Sequence, residues 1–385
     1  MKLFFKKHIF IFKVFEERKG LATSRVAGSG KIANNENMEN MNMMKFCKAL
    51  LTIVAFLLPG LNYAADPIVI KFSYVTAPNT PKGKATERFK RSMDTKGRVK
   101  IELYPDGKLY KDDDEMAALQ SGAVQMLAPA LSKFSPLGVS EFGLFDLPYI
   151  FPDKKTLYRV MDGDIGKRIF AKLEPKGMLG LAYWDNGFKQ ISANRALIRV
   201  KDFKGLKIRI QASNKVLEAE MKALGAQPKV FSAGKQYAAL KEGAADGAEN
   251  TVSNFYTLKL YEVQKHLTLS NHSYLGYAVV ANRKFWDKLP PDIRTILEQD
   301  MKEATEYQRK IAQDENDAAV LRVMQATEIH TLPENIRQEW IKTLLPVHKE
   351  AENIVGKENL NAIYAITAQM DKEERERKQQ ISKKK

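Results

Sequence analysis

The segment 68–128 alternates between strand-like and helix-like patterns, and this alternation constrains the fold more than any other feature of the sequence. Apolar and polar residues alternate with a period of two in the strand-like parts, whereas apolar residues three or four positions apart mark the helical parts. The predicted strands lie at 68–75, 99–104 and 124–128. A β-α-β-α-β order is typical of an α/β fold with a largely parallel sheet.

The same kind of pattern returns further along the chain with different residues. The predicted strands here are 178–183, 206–211 and 275–281, and the predicted helices are 214–224 and 235–241. The sequence therefore predicts two α/β units, which correspond to two lobes.

A long helical pattern follows Pro290 and Pro291 and continues to about Ala326, which exceeds the usual helix length. It fits a surface helix that covers one sheet, and it also fits a strut that crosses both lobes. Residues 334–378 are again helical and strongly charged.

Residues 44–65 have the composition of a secretory signal peptide. Lys45 and Lys48 precede the ten-residue apolar stretch 49–58, which is too short to span a bilayer. Small residues follow, so we expect cleavage after Ala64 or Ala65. The alternative is a buried helix at the start of a domain.

Residues 1–43 form an N-terminal extension that a signal peptide does not normally have. Translation from Met43 or Met44 would explain it, and a genuine extension is the alternative. The one cysteine, Cys47, lies in the signal peptide, so a mature chain would contain none. Such a chain has no disulfide framework or cysteine-based zinc site, and it suits an oxidising compartment.

The net charge of +16 is concentrated at the chain ends. Residues 1–65 contain ten basic and four acidic residues, and residues 371–385 contain seven basic and four acidic ones. We interpret residues 366–385 as a charged C-terminal tail at a solvated helix end. After residue 65 no cluster of basic residues is interleaved with aromatic ones, so the sequence does not predict nucleic-acid binding.

Common signatures of catalysis are missing from the sequence. The five histidines do not form H-E-x-x-H, and no G-x-S-x-G occurs. The acidic run 112–115 suits a helix N-terminus better than a metal site. We therefore predict no catalytic residue, metal ligand or cofactor.

Arg209 lies inside the apolar strand pattern LKIRIQ and alternates with Ile208 and Ile210, so its side chain projects from the opposite face of the strand. A charged side chain within an apolar strand is costly unless it is paired. Its planar guanidinium matches a carboxylate in a bidentate manner. From the residues alone, an internal salt bridge, an exposed edge strand and an anionic ligand all remain open. Lys189 is a second central cation.

Five motifs occur together in order along the mature chain. They are APNTPKGKA (77–85), AYWDNGFKQISANRAL (182–197), GLKIRIQAS (205–213), DGAEN (246–250) and KFWDKLP (284–290). Together they resemble the extracytoplasmic solute-binding subunits of TRAP transporters, of the C4-dicarboxylate (DctP) type. The resemblance covers roughly residues 67–365.

The resemblance implies a two-lobe periplasmic solute-binding protein fold, with a cleft between the lobes and a long helix spanning both. Neither lobe is continuous: lobe one takes 67–186 and 275–313, and lobe two takes 187–274 and 314–365. The resemblance further implies that Arg209 binds one carboxylate of the ligand and that Lys189 binds the second. The other implied ligand-binding residues are Asn250, Lys82, Ser132, Trp184 and Asn186.

The function implied by the resemblance is capture of succinate, malate or fumarate in the periplasm, without catalysis, and delivery to an ion-coupled TRAP permease. The alternatives are another organic acid, such as a sugar acid or 2-oxo acid, and a periplasmic enzyme acting on an acidic substrate. The family often has serine where Ala130 stands and proline where Thr251 stands. Ala130 removes a possible hydroxyl donor, and Thr251 alters a helix start.

Overall fold

A computed structural model describes residues 67–384, with side chains up to residue 380. The predicted extension 1–43 and signal peptide 44–65 therefore lie outside the described residues. The strands are β1 (Ile68–Ser73), β2 (Val99–Tyr104), β3 (Met126–Leu127), β4 (Met178–Phe188), β5 (Gln190–Ala193), β6 (Lys207–Ile210), β7 (Gln227–Val230), β8 (Gly247–Asn250), β9 (His266–Leu269), β10 (Tyr274–Asn282) and β11 (Glu328–Thr331).

The α-helices connect these strands and cover the sheets. They are α1 (Pro81–Lys96), α2 (Glu115–Ser121), α3 (Lys154–Asp162), α4 (Asp164–Ala171), α5 (Lys215–Ala223), α6 (Gln236–Lys241), α7 (Val252–Thr257), α8 (Arg283–Asp287), α9 (Pro291–Val323), α10 (Glu334–Leu344), α11 (Pro346–Val355) and α12 (Lys357–Lys384). Short 3-10 helices occur at Leu131–Leu137, Ser140–Asp146, Glu174–Lys176, Val200–Phe203, Ala233–Lys235 and Leu260–Glu262. No helix in the described range is long and apolar enough to cross a membrane.

The first sheet has the strand order β2-β1-β3-β10-β4. Strand β1 is parallel to β2 and β3, as the β-α-β-α-β pattern predicts. Strand β10 is antiparallel to both β3 and β4, so the complete sheet is mixed rather than largely parallel. The reason is topological: β4 and β10 are the strands by which the chain leaves and re-enters this sheet.

The second sheet has the order β11-β9-β5-β8-β6-β7. Strand β6 lies between β8 and β7 and is parallel to both, which makes it an internal strand. Strand β5 is antiparallel to β8 and β9. We call the two sheets with their helices the first and second lobe, and we propose that the lobes follow the predicted division of the chain except near its C-terminal end.

Helix α9 packs against both lobes. Leu297 and Met301 in its first half join the core around β1 and α1, and Ala319 and Val323 near its end join the core around β8 and α7. A strut crossing both lobes is therefore confirmed, and a helix confined to one sheet is not observed.

The predicted helical region 334–378 consists of three helices. Pro346 occupies the first turn of α11, and Gly356 after it has a positive φ of 87°. Residues Leu360 and Ile363 of α12 pack into the core of the first lobe. The C-terminal end of the chain thus returns to the first lobe, although the predicted lobe two extends to residue 365. Residues 371–380 are exposed.

Candidate functional site

A cavity of about 140 Å³ lies between the two lobes. The first lobe contributes the loop after β1, the start of α1, and β10, whereas the second lobe contributes β6, β8 and α7. Its lining includes Thr76, Lys82, Asp106, Ala130, Arg209, Gln211, Asn250, Asn254 and Tyr277. This volume is well below the roughly 300–1,000 Å³ of pockets for drug-sized ligands, so the cavity suits a small molecule.

Arg209 reaches the cavity from the internal strand β6. The side chains of its neighbours Ile208 and Ile210 lie on the opposite face of the strand, where they are fully buried in the apolar core. The guanidinium is 1% exposed, its Nε donates to the carbonyl of Phe231 at 2.8 Å, and its Nη2 has no hydrogen-bond partner within residues 67–380. Burial lowers the pKa of Arg209 to about 10, although Glu249 and Asp112 oppose this shift.

Two of the open alternatives for Arg209 are not observed. Strand β6 is internal, so Arg209 is not on an exposed edge. Arg209 also forms no salt bridge to any carboxylate in the part of the chain that the structure describes. A buried guanidinium with a free donor is costly, and an anion placed in the cavity would satisfy it.

Lys82 enters the cavity from the first turn of α1. Thr80 starts this helix by accepting a hydrogen bond from the Gly83 amide at 3.2 Å, and Pro81 holds the first helical position. The Lys82 Nζ donates to the Ala128 carbonyl at 2.9 Å and lies 3.7 Å from the centre of the Tyr277 ring. Burial lowers the pKa of Lys82 to about 7, so this ammonium is close to losing its charge near neutral pH.

Amide side chains form the wall of the second lobe. Asn250 donates from Nδ2 to Gln236 at 3.1 Å, and its Oδ1 accepts from the side chain of Asn254 at 3.0 Å. Thr251 caps α7 by accepting from the Asn254 amide, so the departure from proline leaves Asn250 in place. Ala130 also lines the cavity, so a serine at this position would have its hydroxyl group at the site.

Lys189 lies elsewhere, in a buried cluster of charges between β4 and β5. Its Nζ is 3.1 Å from Asp146 and 2.8 Å from Glu249, and the side chain is 3% exposed. Burial alone would lower the pKa of Lys189, but Glu249, Asp146 and Glu220 outweigh burial and raise it. Burial raises the pKa of Asp146 to about 6, against the opposing effect of Lys189.

The remaining three predicted residues do not line the cavity. Trp184 is fully buried in the first-lobe core, where its Nε1 donates to Thr305 at 2.9 Å. Asn186 accepts a hydrogen bond from Ser253 at 3.1 Å. Ser132 is buried in the 3-10 helix Leu131–Leu137. The structure thus brings together Arg209, Lys82 and Asn250 among the seven predicted residues.

Gln211, Asn254 and Tyr277 line the cavity but were not predicted. Gln211 follows Arg209 by two positions, and the period of a strand puts such residues on the same face, so the sequence contained that signal. Asn254 and Tyr277 could not be found in this way, because their positions depend on how α7 and β10 pack.

The acidic run 112–115 lies at the N-terminus of α2, as the sequence predicts, and two of its residues also connect the lobes. Asp114 precedes α2 without a side-chain hydrogen bond to its amides. Asp112 accepts from the Ala233 amide of the second lobe at 2.9 Å, and Asp113 accepts from Lys235 at 2.7 Å. These contacts join the two lobes beside the cavity, whose lining includes Ala233.

A serine, a histidine and a glutamate lie in a row outside the cavity. Ser270 is 2.6 Å from Nδ1 of His272, and Nε2 of His272 is 3.5 Å from Glu220. All three are buried, and burial lowers the pKa of His272 to about 3. A substrate has no access to this row, and a histidine with so low a pKa is a weak general base at neutral pH.

Residues 72–353 match the sequence pattern of the family described as bacterial extracellular solute-binding protein, family 7 (DctP). The chain belongs to this family. As a family member it is a binding protein rather than an enzyme, in agreement with the prediction from the sequence.

This solute-binding protein is 53% identical over 309 residues to the C4-dicarboxylate-binding periplasmic protein DctP of Rhodobacter capsulatus, covering 79% of the chain and 92% of the relative. A crystal structure of a TRAP periplasmic solute-binding protein from Sulfurospirillum deleyianum with bound succinate is 41% identical, with a TM-score of 0.74. It covers 78% of this chain and 99% of that one. These matches confirm the predicted two-lobe fold.

A sugar-acid-binding protein from Advenella mimigardefordensis, solved with galactonate, is 30% identical with a TM-score of 0.76. It covers 79% of this chain and 99% of that one. The fold is therefore shared by proteins whose ligands differ in length and charge, and the ligand has to be argued from the cavity.

Proposed function

We propose that this protein captures a C4-dicarboxylate such as succinate, malate or fumarate in the cavity between its lobes. The observation that carries the proposal is the unpartnered Nη2 of the buried Arg209 in a small cavity that also contains Lys82. Two cations from opposite lobes match the two carboxylates of a short dianion. The names and ligands of the dicarboxylate-binding relatives support the same assignment.

The two carboxylates would have different partners. Arg209 would hold one carboxylate through its guanidinium, and Asn250 would orient the bound solute from the same lobe. Lys82 would meet the other carboxylate from the first lobe. Because the ligand touches both lobes only when they are together, its binding energy favours the closed form. Asp112 and Asp113 would add to closure through their contacts with Ala233 and Lys235.

Four predicted site residues receive a supporting role in this proposal. Lys189 would neutralise Asp146 and Glu249 inside the protein instead of binding the second carboxylate. Trp184, Asn186 and Ser132 would pack and position the elements around the cavity.

The cellular setting rests on the family and on the N-terminal sequence. We propose that residues 44–65 direct export to the periplasm and that the loaded protein delivers its solute to a TRAP-type permease. The periplasmic name of the Rhodobacter capsulatus relative supports this location. N-terminal sequencing of the exported protein would be expected to begin near Ala65.

We expect succinate affinity to fall as the pH rises above 7. In the free protein burial lowers the pKa of Lys82 to about 7, and a nearby carboxylate would raise it. Binding above pH 7 must therefore take up a proton, which costs up to about tenfold in affinity per pH unit. Calorimetry from pH 6 to pH 9, in buffers of different ionisation enthalpy, measures both the affinity and the proton uptake.

The matched variant for this experiment is Lys82→Met, which removes the titrating group while filling similar space. It should bind succinate more weakly and with a flatter pH dependence. If Lys82→Met bound succinate as tightly as the wild type at every pH, the placement of Lys82 against the ligand would be contradicted.

A further inference from the structure

Two histidines and a glutamate from two neighbouring strands meet at the edge of the second lobe. His266 begins β9, and Glu328 and His330 lie on the edge strand β11. Residues two apart on a strand share a face, which puts Glu328 and His330 on the same side of β11. The parallel register places Glu328 directly opposite His266. None of the three lines the cavity between the lobes.

The distances between the donor atoms fit a metal ion. Nδ1 of His266 is 3.0 Å from Nε2 of His330 and 3.5 Å from Oε2 of Glu328, and Nε2 of His330 is 3.7 Å from the other carboxylate oxygen, Oε1. Tetrahedral zinc with bonds of roughly 2.0–2.1 Å keeps its ligand atoms about 3.3 Å apart. The two nitrogens and one carboxylate oxygen all lie within 4.8 Å of one another, so a modest movement of the side chains lets them share one ion.

The surroundings also suit a cation. The side chains of His266 and His330 are 25% and 17% exposed, so packing restricts both rings, while Glu328 is 66% exposed. Because the cluster is exposed on the side of Glu328, water can occupy the fourth position of a tetrahedral ion, as in sites with three protein ligands. The stacked rings, with centres 5.3 Å apart, could instead share a single hydrogen bond.

We propose that His266, Glu328 and His330 bind one zinc ion or a similar first-row divalent cation. Zinc binds imidazole nitrogens and carboxylate oxygens, and a site of two histidines and one carboxylate is a known zinc ligand set. The ion would tie β11, the strand that follows the long helix α9, to its neighbour β9. The histidine spacing along the sequence gives no sign of this site, because its ligands come from strands that pair only in the fold.

The test is calorimetric titration of the purified protein with zinc chloride, after treatment with a chelator. We expect one ion per chain, and we expect His330→Ala and His266→Ala each to lose at least about tenfold in affinity. Glu328→Gln should bind zinc more weakly and keep its fold, since the residue is exposed. Thr331→Ala, on the same strand, is the matched control and should bind zinc normally.

Two further results would decide the matter. Zinc should raise the unfolding midpoint of the wild type but not of His330→Ala, because a ligand that binds only the folded state stabilises it. Succinate binding should be the same in both proteins, which separates this site from the cavity. Absence of saturable zinc binding, or equal binding by all the variants, would leave only a hydrogen bond between the rings and overturn the proposal.

Discussion

Arg209→Ala should reduce succinate affinity by about 100-fold to 10,000-fold, because two charge-assisted hydrogen bonds of about 1.5–3 kcal/mol each are lost. The free protein should not be destabilised to a similar degree. The guanidinium of Arg209 is buried without a salt bridge among the described residues, so removing it also removes the cost of burying a charge. Calorimetry with succinate and chemical unfolding without ligand measure the two effects separately.

Two arginine variants make this experiment specific. Arg199→Ala, in the same lobe, removes an exposed guanidinium bound to Glu339 and should leave succinate affinity unchanged. Arg209→Lys keeps the charge but loses the planar fork, so its affinity should be intermediate. Wild-type affinity in Arg209→Ala would show that the carboxylate is held elsewhere.

Lys189→Met should show the opposite pattern, with a loss of stability rather than a specific loss of affinity. The ammonium lies between Asp146 and Glu249, and its removal leaves buried carboxylates without a counter-charge. Breaking a buried ion pair in this way costs about 3–5 kcal/mol. Chemical unfolding of the ligand-free protein measures the change.

Lys235→Met is the matched control, because its ammonium pairs with Asp113 but is 67% exposed. Such a surface pair contributes about 0–1 kcal/mol. If Lys189→Met does not fold, adding Glu249→Gln should restore folding by removing one of the uncompensated charges. A Lys189→Met protein of normal stability that no longer binds succinate would instead make Lys189 a ligand residue, as the resemblance implies.

The contrast between Arg209 and Lys189 shows what could be predicted from the sequence. The alternation of LKIRIQ placed Arg209 on the face opposite Ile208 and Ile210, and the structure has this arrangement. The partner of a buried charge could not be predicted in this way. Asp146 and Glu249 reach Lys189 from segments 43 and 60 residues away, and no local pattern encodes that meeting.

All six predicted strands are present, because they depend on local alternation. The four-residue strands β5, β7, β8, β9 and β11 were not predicted, because they are too short to show a pattern. The direction of β10 was not predictable, because it is set by the return of the chain from the second lobe. The same holds for Tyr277 on that strand, which faces Lys82 in the cavity. His266 and His330 are another example, since their rings meet only through the pairing of β9 with β11.

The most direct test of the central claim is to compare succinate with butyrate, which has the same carbon chain but only one carboxylate. In calorimetric titrations of the wild-type protein at pH 7, we expect one succinate per chain and about 10-fold to 100-fold weaker binding of butyrate, because the charge-assisted contact at Lys82 is lost. Equal binding of the two acids, or binding of galactonate but not succinate, would contradict dicarboxylate capture between Arg209 and Lys82.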